Sequence, residues 1–257
     1  MPRVRSVAVT LVRMKRGFEL ELDERDPLQR HMASEREYEP EVSWIYPYLL
    51  RTGDTVIDGG AHIGYLTLLA ASCVGKSGSV HSFEPVLSTH AALAANVARN
   101  RATNVHLNRV ALGPTAGTLE LELQIDPDGA GILAWGATAI RVGRGSVERV
   151  PMVTLDEYAD RARLRAIDLL KLDLEGAELG ALAGARGLLA RRAVTHIVCE
   201  LNTYLLDQSG ERYDERRALL ASYGYRCYQL TKSGRIEAQD GPIIARDVVV
   251  TDLLFAA

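Results

Sequence analysis

Cysteine is scarce: Cys73, Cys199 and Cys227 stand far apart in 257 residues and form no C-x-x-C pair. An odd, scattered set of this kind excludes a disulfide framework and suits small buried side chains in a reducing compartment. Long apolar runs are also missing. None reaches the roughly 20 residues a membrane-spanning helix needs, so no membrane partner is expected. The apolar stretch from Val7 to Val12 meets Arg13, Lys15 and Arg16 at once, with no small-residue cleavage site. No signal peptide is expected, and the location reads as cytoplasmic. Excess charge is absent too. A net charge of −3 argues against a nucleic-acid backbone as the main partner. Lysine is scarce, four against 26 arginines, a bias that GC-rich coding produces and that says little about function.

What is present is an alternation of strands and helices. Residues 4–12 and 17–22 alternate apolar and polar around Lys15-Arg16-Gly17, predicting a hairpin with Val4, Val7, Val9 and Leu11 against Phe18, Leu20 and Leu22. Asp23 to Glu37 is charged and contains Pro27, so it reads as a connector with little core. A helix should open near Pro40 and carry Val42, Trp44, Ile45 and Tyr48 inward, with Pro47 kinking or splitting it. Residues 1–50 thus form a hairpin-and-helix extension. Residues 51–257 then read as one α/β domain around a mostly parallel sheet of about seven strands, helices on both faces.

Its strands are expected at 55–59, 79–83, 105–112, 150–154, 167–172, 195–201, 225–230 and 247–254. Helices are expected at 65–74, 86–100 (Leu87, Ala91, Leu93 or Ala94, and Val97 inward), 155–163, 177–191 and 211–223. Thr118 to Ile125 has an antiparallel look, with Leu119, Leu121, Leu123 and Ile125 alternating. Residues 126–147, rich in glycine and alanine and holding Trp135, read as a loop or insert over one edge.

The organising stretch runs from Thr55 to Leu69. Val56 and Ile57 suit a buried strand, and the apolar run after Gly64 suits a helix. Between them lies Asp58-Gly59-Gly60-Ala61-His62-Ile63-Gly64. Its glycines permit a tight turn, and the following helix aims its N-terminal N–H groups at whatever sits above. The spacing is D-x-G-x-x-x-G, not the G-x-G-x-x-G of dinucleotide-binding folds. Glu84 follows Asp58 by 26 residues, at the tip of the next strand. That is where a carboxylate accepts the ribose hydroxyls of an adenosine.

A second signal is Leu170-Lys171-Leu172-Asp173-Leu174-Glu175-Gly176-Ala177-Glu178. Asp173 and Glu175 would point the same way if the strand persisted. Lys171, inside an apolar strand, needs an ion pair with one of them. Glu200 ends the next strand. His81 and His106 read as packed side chains and His196 as too early in its strand to matter. His62 either lines the pocket or fills the turn. Aromatic candidates for the mouth are Tyr38, Trp44, Tyr65, Trp135 and Tyr204.

The segments VIDGGAHIGYLTLLAA, HSFEP, VALG, VTLD, LLKLDLEGAE and IVCELN occur in an order and spacing that resemble the FkbM family of methyltransferases, over about residues 38–230. The resemblance implies a class I Rossmann-like methyltransferase fold and methyl transfer from S-adenosylmethionine, typically to hydroxyl oxygens in polyketide, macrolide or glycoside pathways. Carried over by motif, Asp58, Gly59, Gly60, Ala61, His62, Gly64, Tyr65 and Thr67 would surround the methionine end. Glu84 and Pro85 would meet the ribose, Val110 and Ala111 would flank the adenine, and Asp173 and Glu175 would lie near the methyl. His62 departs from the family, where a small polar residue such as asparagine is expected.

An aliphatic hydroxyl is a weak nucleophile, so Asp173 is the first candidate for its base and Glu200 the second. The alternative is that Asp173 and Glu200 hold a divalent ion such as Mg²⁺. The competing functions are a nicotinamide oxidoreductase, disfavoured by the glycine spacing, and a non-catalytic nucleotide-binding domain.

Overall fold

The computed structural model describes residues 9–123, 146–202, 213–231, 235–239 and 250–256. Val4, Val7, Trp135, Tyr204 and nearly all of the 126–147 segment lie outside them.

The hairpin pairs β1 (Val9–Arg13) with β2 (Glu19–Asp23), with Thr10 opposite Leu22 and Val12 opposite Leu20. Val12 therefore shares the face of the buried Leu20 and Leu22. Val9 and Leu11, expected on that face, sit opposite Asp23 and Glu21 and are 45% and 49% exposed. Because strand side chains alternate, a register one residue off the expected one moves every side chain to the other face.

The expected connector contains a helix, α1 (Pro27–Glu35), with Met32 fully buried. Asp26 caps it by accepting from the N–H groups of Leu28 and Gln29, and Pro27 takes the first helical position. Helix α2 (Pro40–Leu49) is not split, because Pro47 falls near its end. Val42, Ile45 and Tyr46 are buried, but Tyr48, expected inward, is 74% exposed and Trp44 only half-buried.

Next come β3 (Thr55–Gly59), α3 (Tyr65–Val74), β4 (Ser79–Phe83), α4 (Leu87–Arg99) and β5 (Val105–Asn108). Helix α4 buries Leu93, Asn96 and Val97, while Leu87 is exposed. The single strand expected over 105–112 is two. Strand β5 stops at Asn108, and β6 (Ala111–Leu112) joins β7 (Gly117–Leu123) and β8 (Ser146–Val153) in a separate sheet of order β6-β8-β7. A capping box between Thr154 and Glu157 opens α5 (Leu155–Ala162). Then follow β9 (Ile167–Leu172), α6 (Glu178–Ala183), α7 (Arg186–Ala190), β10 (Val194–Asn202), α8 (Tyr213–Ser222), β11 (Arg226–Leu230), β12 (Ile236–Ala238) and β13 (Val250–Ala256). The helix expected over 177–191 breaks at Gly184, where a Cβ would lie 2.2 Å from the Gly113 carbonyl oxygen. That close approach of a neighbouring loop is a tertiary demand that helical periodicity does not carry.

The main sheet has the order β12-β11-β13-β10-β9-β3-β4-β5, with β13 antiparallel to both neighbours. It is the expected mostly parallel seven-stranded sheet plus a short edge strand. The strand order reverses between β3 and β9, which opens a crevice at the carboxyl ends of these two strands. Val56, Leu169, Val198 and Leu254 pack in one core with residues of α2 and α3. Their neighbours Ile57, Leu170, Ile197 and Leu253 pack in the other, with α5 to α8. Alternation then assigns Asp58, Lys171, Glu200 and Asp252 to the α2/α3 face.

Candidate active site

Those four charged residues form a row across adjoining strand ends: Asp58 opposite Lys171, and Glu200 opposite Asp252. Lys171 is 2% exposed, and its Nζ lies 3.0 Å from Asp173 Oδ2. The ion pair is the one expected of a lysine inside an apolar strand. Burial alone would depress the lysine's pKa. The carboxylates of Asp173, Asp58 and Glu39 outweigh burial and hold it well above the ordinary value. Beside the pair lies a cavity whose lining includes Tyr38, Asp58, Gly60, His62, Lys171 and Asp173.

The glycine turn is shaped by how closely β9 passes it. Gly60 has φ +76, and a Cβ there would lie 1.8 Å from the Asp173 carbonyl oxygen. Gly59 ends β3, and its carbonyl accepts the Asp173 N–H at 3.1 Å. The N–H groups of Gly60 and Ala61 both donate to the Phe83 carbonyl, at 3.0 and 2.9 Å, tying the turn to the end of β4. Gly64, φ +98, is the N-cap of α3. Ala61 and the buried Tyr65 also line the cavity. Thr67, fully buried, donates its hydroxyl to Asp58 Oδ2 at 2.5 Å and lies 3.0 Å from Ser82 Oγ. Asp58 Oδ1 is buried and has no partner among the described residues. Burial raises the Asp58 pKa, partly offset by Lys171 and Thr67.

His62 lines the cavity in a left-handed conformation, φ +49. Asparagine, aspartate and histidine tolerate that region better than other side chains, so a histidine can stand where the family resemblance expects asparagine. Its N–H donates to Glu84 Oε2 at 3.1 Å, and burial lowers its pKa, leaving the imidazole neutral at pH 7. Glu84 is 7% exposed, and its Oε1 accepts the Val86 N–H at 3.0 Å. Burial pushes its carboxyl up to about 7 against the pull of the two N–H groups. Pro85 is half-buried beside it.

Some expected residues lie apart from the cavity lining. Val110 and Ala111 come after the end of β5, and Ala111 packs with Val86 in a small core of the second sheet. Glu175 does not continue a strand. β9 ends at Leu172, and Glu175 turns the chain at φ +53. Glu178 fastens that turn, its Oε1 accepting the N–H groups of Leu174 and Gly176 while its Oε2 lies 2.7 Å from Arg216 Nη2 in a buried ion pair. Of the 173/175 pair only Asp173 lines the cavity. Glu200 Oε2 is buried with no partner among the described residues. Burial, then the charges of Asp173, Glu175 and Asp252, push its pKa to about 11, so it holds a proton at neutral pH.

His81 stacks on His106 with centroids 4.6 Å apart and meets the Tyr158 hydroxyl through Nδ1 at 2.8 Å, a packed pair as expected. His196 Nδ1 lies 3.3 Å from the Asp168 carbonyl oxygen. Sequence reasoning misses two acids, Glu39 and Asp252. Glu39 reads from sequence only as an acid beside Pro40, and Asp252 lies on an antiparallel strand whose register the sequence does not state. Among the described residues, no group of three or more His, Cys, Asp or Glu side chains could hold a metal ion, and no helix is long and apolar enough to cross a membrane.

The central sheet, with one antiparallel strand inserted beside the last parallel one and a glycine turn at its crossover, is the class I methyltransferase Rossmann-like fold. The solved structure of methyltransferase FkbM from Methylobacillus flagellatus KT superposes with a TM-score of 0.51 at 15% identity, over 88% of this chain and 52% of that one. In sequence, the Methyltransferase FkbM domain profile matches residues 58–227, and the chain belongs to that family. The 31-O-demethyl-FK506 methyltransferase FkbM of Streptomyces tacrolimicus is 31% identical over 159 residues, 52% of this chain and 60% of the relative. These matches thus span half to three fifths of the relatives' own lengths.

Proposed function

We propose that this protein is an S-adenosylmethionine-dependent O-methyltransferase acting on a hydroxyl of a small molecule, a natural product of polyketide, macrolide or glycoside type. The observation that carries the reading is the turn from Asp58 to Gly64. It is pressed so closely under the Asp173 carbonyl that only glycine fits at position 60, and it opens on a cavity edged by carboxylates. An adenosyl sulfonium cofactor fits these residues. Asp58 has a buried oxygen without a partner, Glu84 stands at the tip of the adjacent strand, and the surrounding acids outnumber Lys171. Gly59, Gly60, Ala61 and Gly64 would hold the methionine end, Glu84 the ribose, and Val110 with Ala111 the adenine. The name of the Streptomyces relative sets its methyl group on an oxygen of a small molecule, which supports the same chemistry here.

When bound, the cofactor supplies a methyl group on a positively charged sulfur, open to in-line displacement. The chain's own share is alignment and proton removal. Asp173 faces the cavity and accepts the proton of the acceptor hydroxyl. Lys171, 3.0 Å from it, fixes its orientation before the acceptor arrives. Glu200, protonated at neutral pH, is a hydrogen-bond donor in that state and not a base. Tyr38 and Tyr65, ring centroids 5.9 Å apart, form an aromatic side of the cavity.

Isothermal titration with S-adenosylmethionine and with NAD(P), followed by methyl-transfer assays on hydroxylated acceptors, tests the reading. Micromolar S-adenosylmethionine binding without nicotinamide binding is expected. The reverse result sinks it.

A further inference from the structure

The N-terminal extension holds a carboxylate next in sequence to the cavity-lining Tyr38, outside both the family match, which begins at residue 58, and the glycine motif. Glu39 precedes α2 in a left-handed conformation, φ +41, unusual for a glutamate. The conformation is fastened on both sides. The Ser43 N–H donates to the Glu39 carbonyl at 2.7 Å, and the Ser43 hydroxyl donates to the Tyr38 carbonyl at 2.5 Å. Tyr38 lines the cavity and packs edge-on against Tyr65. The Glu39 charge is felt by Lys171, Asp173 and Asp58, all on the cavity wall. Glu39 Oε2 is sealed from solvent and has no partner among the described residues.

A buried carboxylate oxygen without a donor is costly unless a cation or donor arrives with a ligand. The cations present do not suffice. Lys171 is already 3.0 Å from Asp173 and opposite Asp58, and Glu39, Glu200 and Asp252 share the same face. Burial accordingly pushes the Glu39 carboxyl up to about 7 despite the nearby lysine. The surroundings call for a second positive charge, compact and carrying N–H donors.

We propose that Glu39 binds the α-ammonium group of the cofactor's amino-acid end, making the N-terminal extension a wall of the cofactor site itself. This rests on the S-adenosylmethionine reading above. The ammonium of the ligand occupies the donor position that Glu39 Oε2 lacks. The positive-φ backbone at Glu39 is fixed by Ser43, and the Glu39 charge interacts with those of Lys171, Asp173 and Asp58 at the ends of β3 and β9. The glycine turn and the extension then grip the methionine end from opposite sides.

The test compares S-adenosylhomocysteine with its desamino analogue, in which hydrogen replaces the ammonium, by titration calorimetry on wild type and Glu39→Gln. A lost charge-assisted hydrogen bond corresponds to roughly a 10- to 100-fold loss of affinity. Glu39→Gln is therefore expected to weaken S-adenosylhomocysteine by about that factor and to leave the desamino analogue unchanged within about twofold. Glu39→Asp, which keeps the charge, should retain more affinity than Glu39→Gln. Equal binding of S-adenosylhomocysteine by wild type and Glu39→Gln overturns the proposal, as does an equal loss for both ligands. Wild type alone gives a check that no variant's folding can disturb: S-adenosylhomocysteine must bind at least about tenfold more tightly than the desamino analogue. If wild type binds neither S-adenosylmethionine nor S-adenosylhomocysteine, the cofactor reading itself has failed, a result distinct from any failure of Glu39.

Discussion

The sharpest structural demand in the site falls on Gly60, and Gly60→Ala tests it. Two costs attach to the new methyl group. The left-handed backbone at φ +76 strains an alanine by about 1–2 kcal/mol. The Cβ would also lie 1.8 Å from the Asp173 carbonyl oxygen and 2.9 Å from its carbonyl carbon, both backbone atoms. The end of β9 must therefore move, at an overpacking cost of about 1–3 kcal/mol. Gly17→Ala separates the two contributions. Gly17 has φ +94, but a Cβ there would meet nothing within 4 Å, so it bears the backbone strain alone. By urea unfolding, Gly60→Ala should be about 1–3 kcal/mol less stable than Gly17→Ala. In a chain of this size that separates their melting temperatures by roughly 2–12 °C. Because Asp173 lies on the displaced segment, Gly60→Ala should also lose most S-adenosylmethionine affinity by calorimetry, while Gly17→Ala keeps it. If the two variants melt together and bind alike, the close packing of turn against β9 is not what shapes the site.

Other consequences follow from the charges. Asp173→Asn should retain cofactor binding in titration and lower turnover by about two to four orders of magnitude; near-normal turnover would remove Asp173 as the base. Exhaustive chelation addresses the alternative in which Asp173 and Glu200 hold Mg²⁺: lost activity restored by Mg²⁺ would support it, and full retention would end it. Glu84 is pushed up to about 7 by burial, so the folded state keeps a proton that the unfolded state releases near its usual value. Stability should thus fall as pH rises between about 4.5 and 7, by about 3 kcal/mol for this group, and level off above. Melting curves of Glu84→Gln should show that slope reduced, and an unchanged slope would contradict the assignment. Glu178→Ala removes the carboxylate of the buried ion pair with Arg216 and releases the turn after Asp173, which should cost about 3–5 kcal/mol in urea unfolding.

Much of this protein is legible in the chain itself. The β-branched run into Asp58 and the glycines at 60 and 64 specify a strand, a turn and a helix, because backbone freedom and strand propensity act locally. Lys171 in an apolar strand requires a nearby acid, and Asp173 is that acid, since desolvating a lone ammonium is too costly. The alternation of strands and helices implies a parallel sheet. Other features depend on contacts distant in sequence. The hairpin's faces are set by a pairing register that its alternation leaves open. The break at Gly184 answers to the Gly113 carbonyl, and the end of β9 before Glu175 to the Gly59 carbonyl and to Glu178. Above all, Glu39 and Asp252, more than 200 residues apart in sequence, reach the same face of the sheet as Asp58 and Lys171 only because α2 covers that face and β13 enters antiparallel beside β10. The glycine cradle and its principal acids thus follow from the chain alone, through local conformational preference and the cost of burying charge. Which carboxylates converge around the cavity, and which of them lacks a donor, is settled by tertiary packing, because strand register and helix placement bring together side chains that no local pattern links.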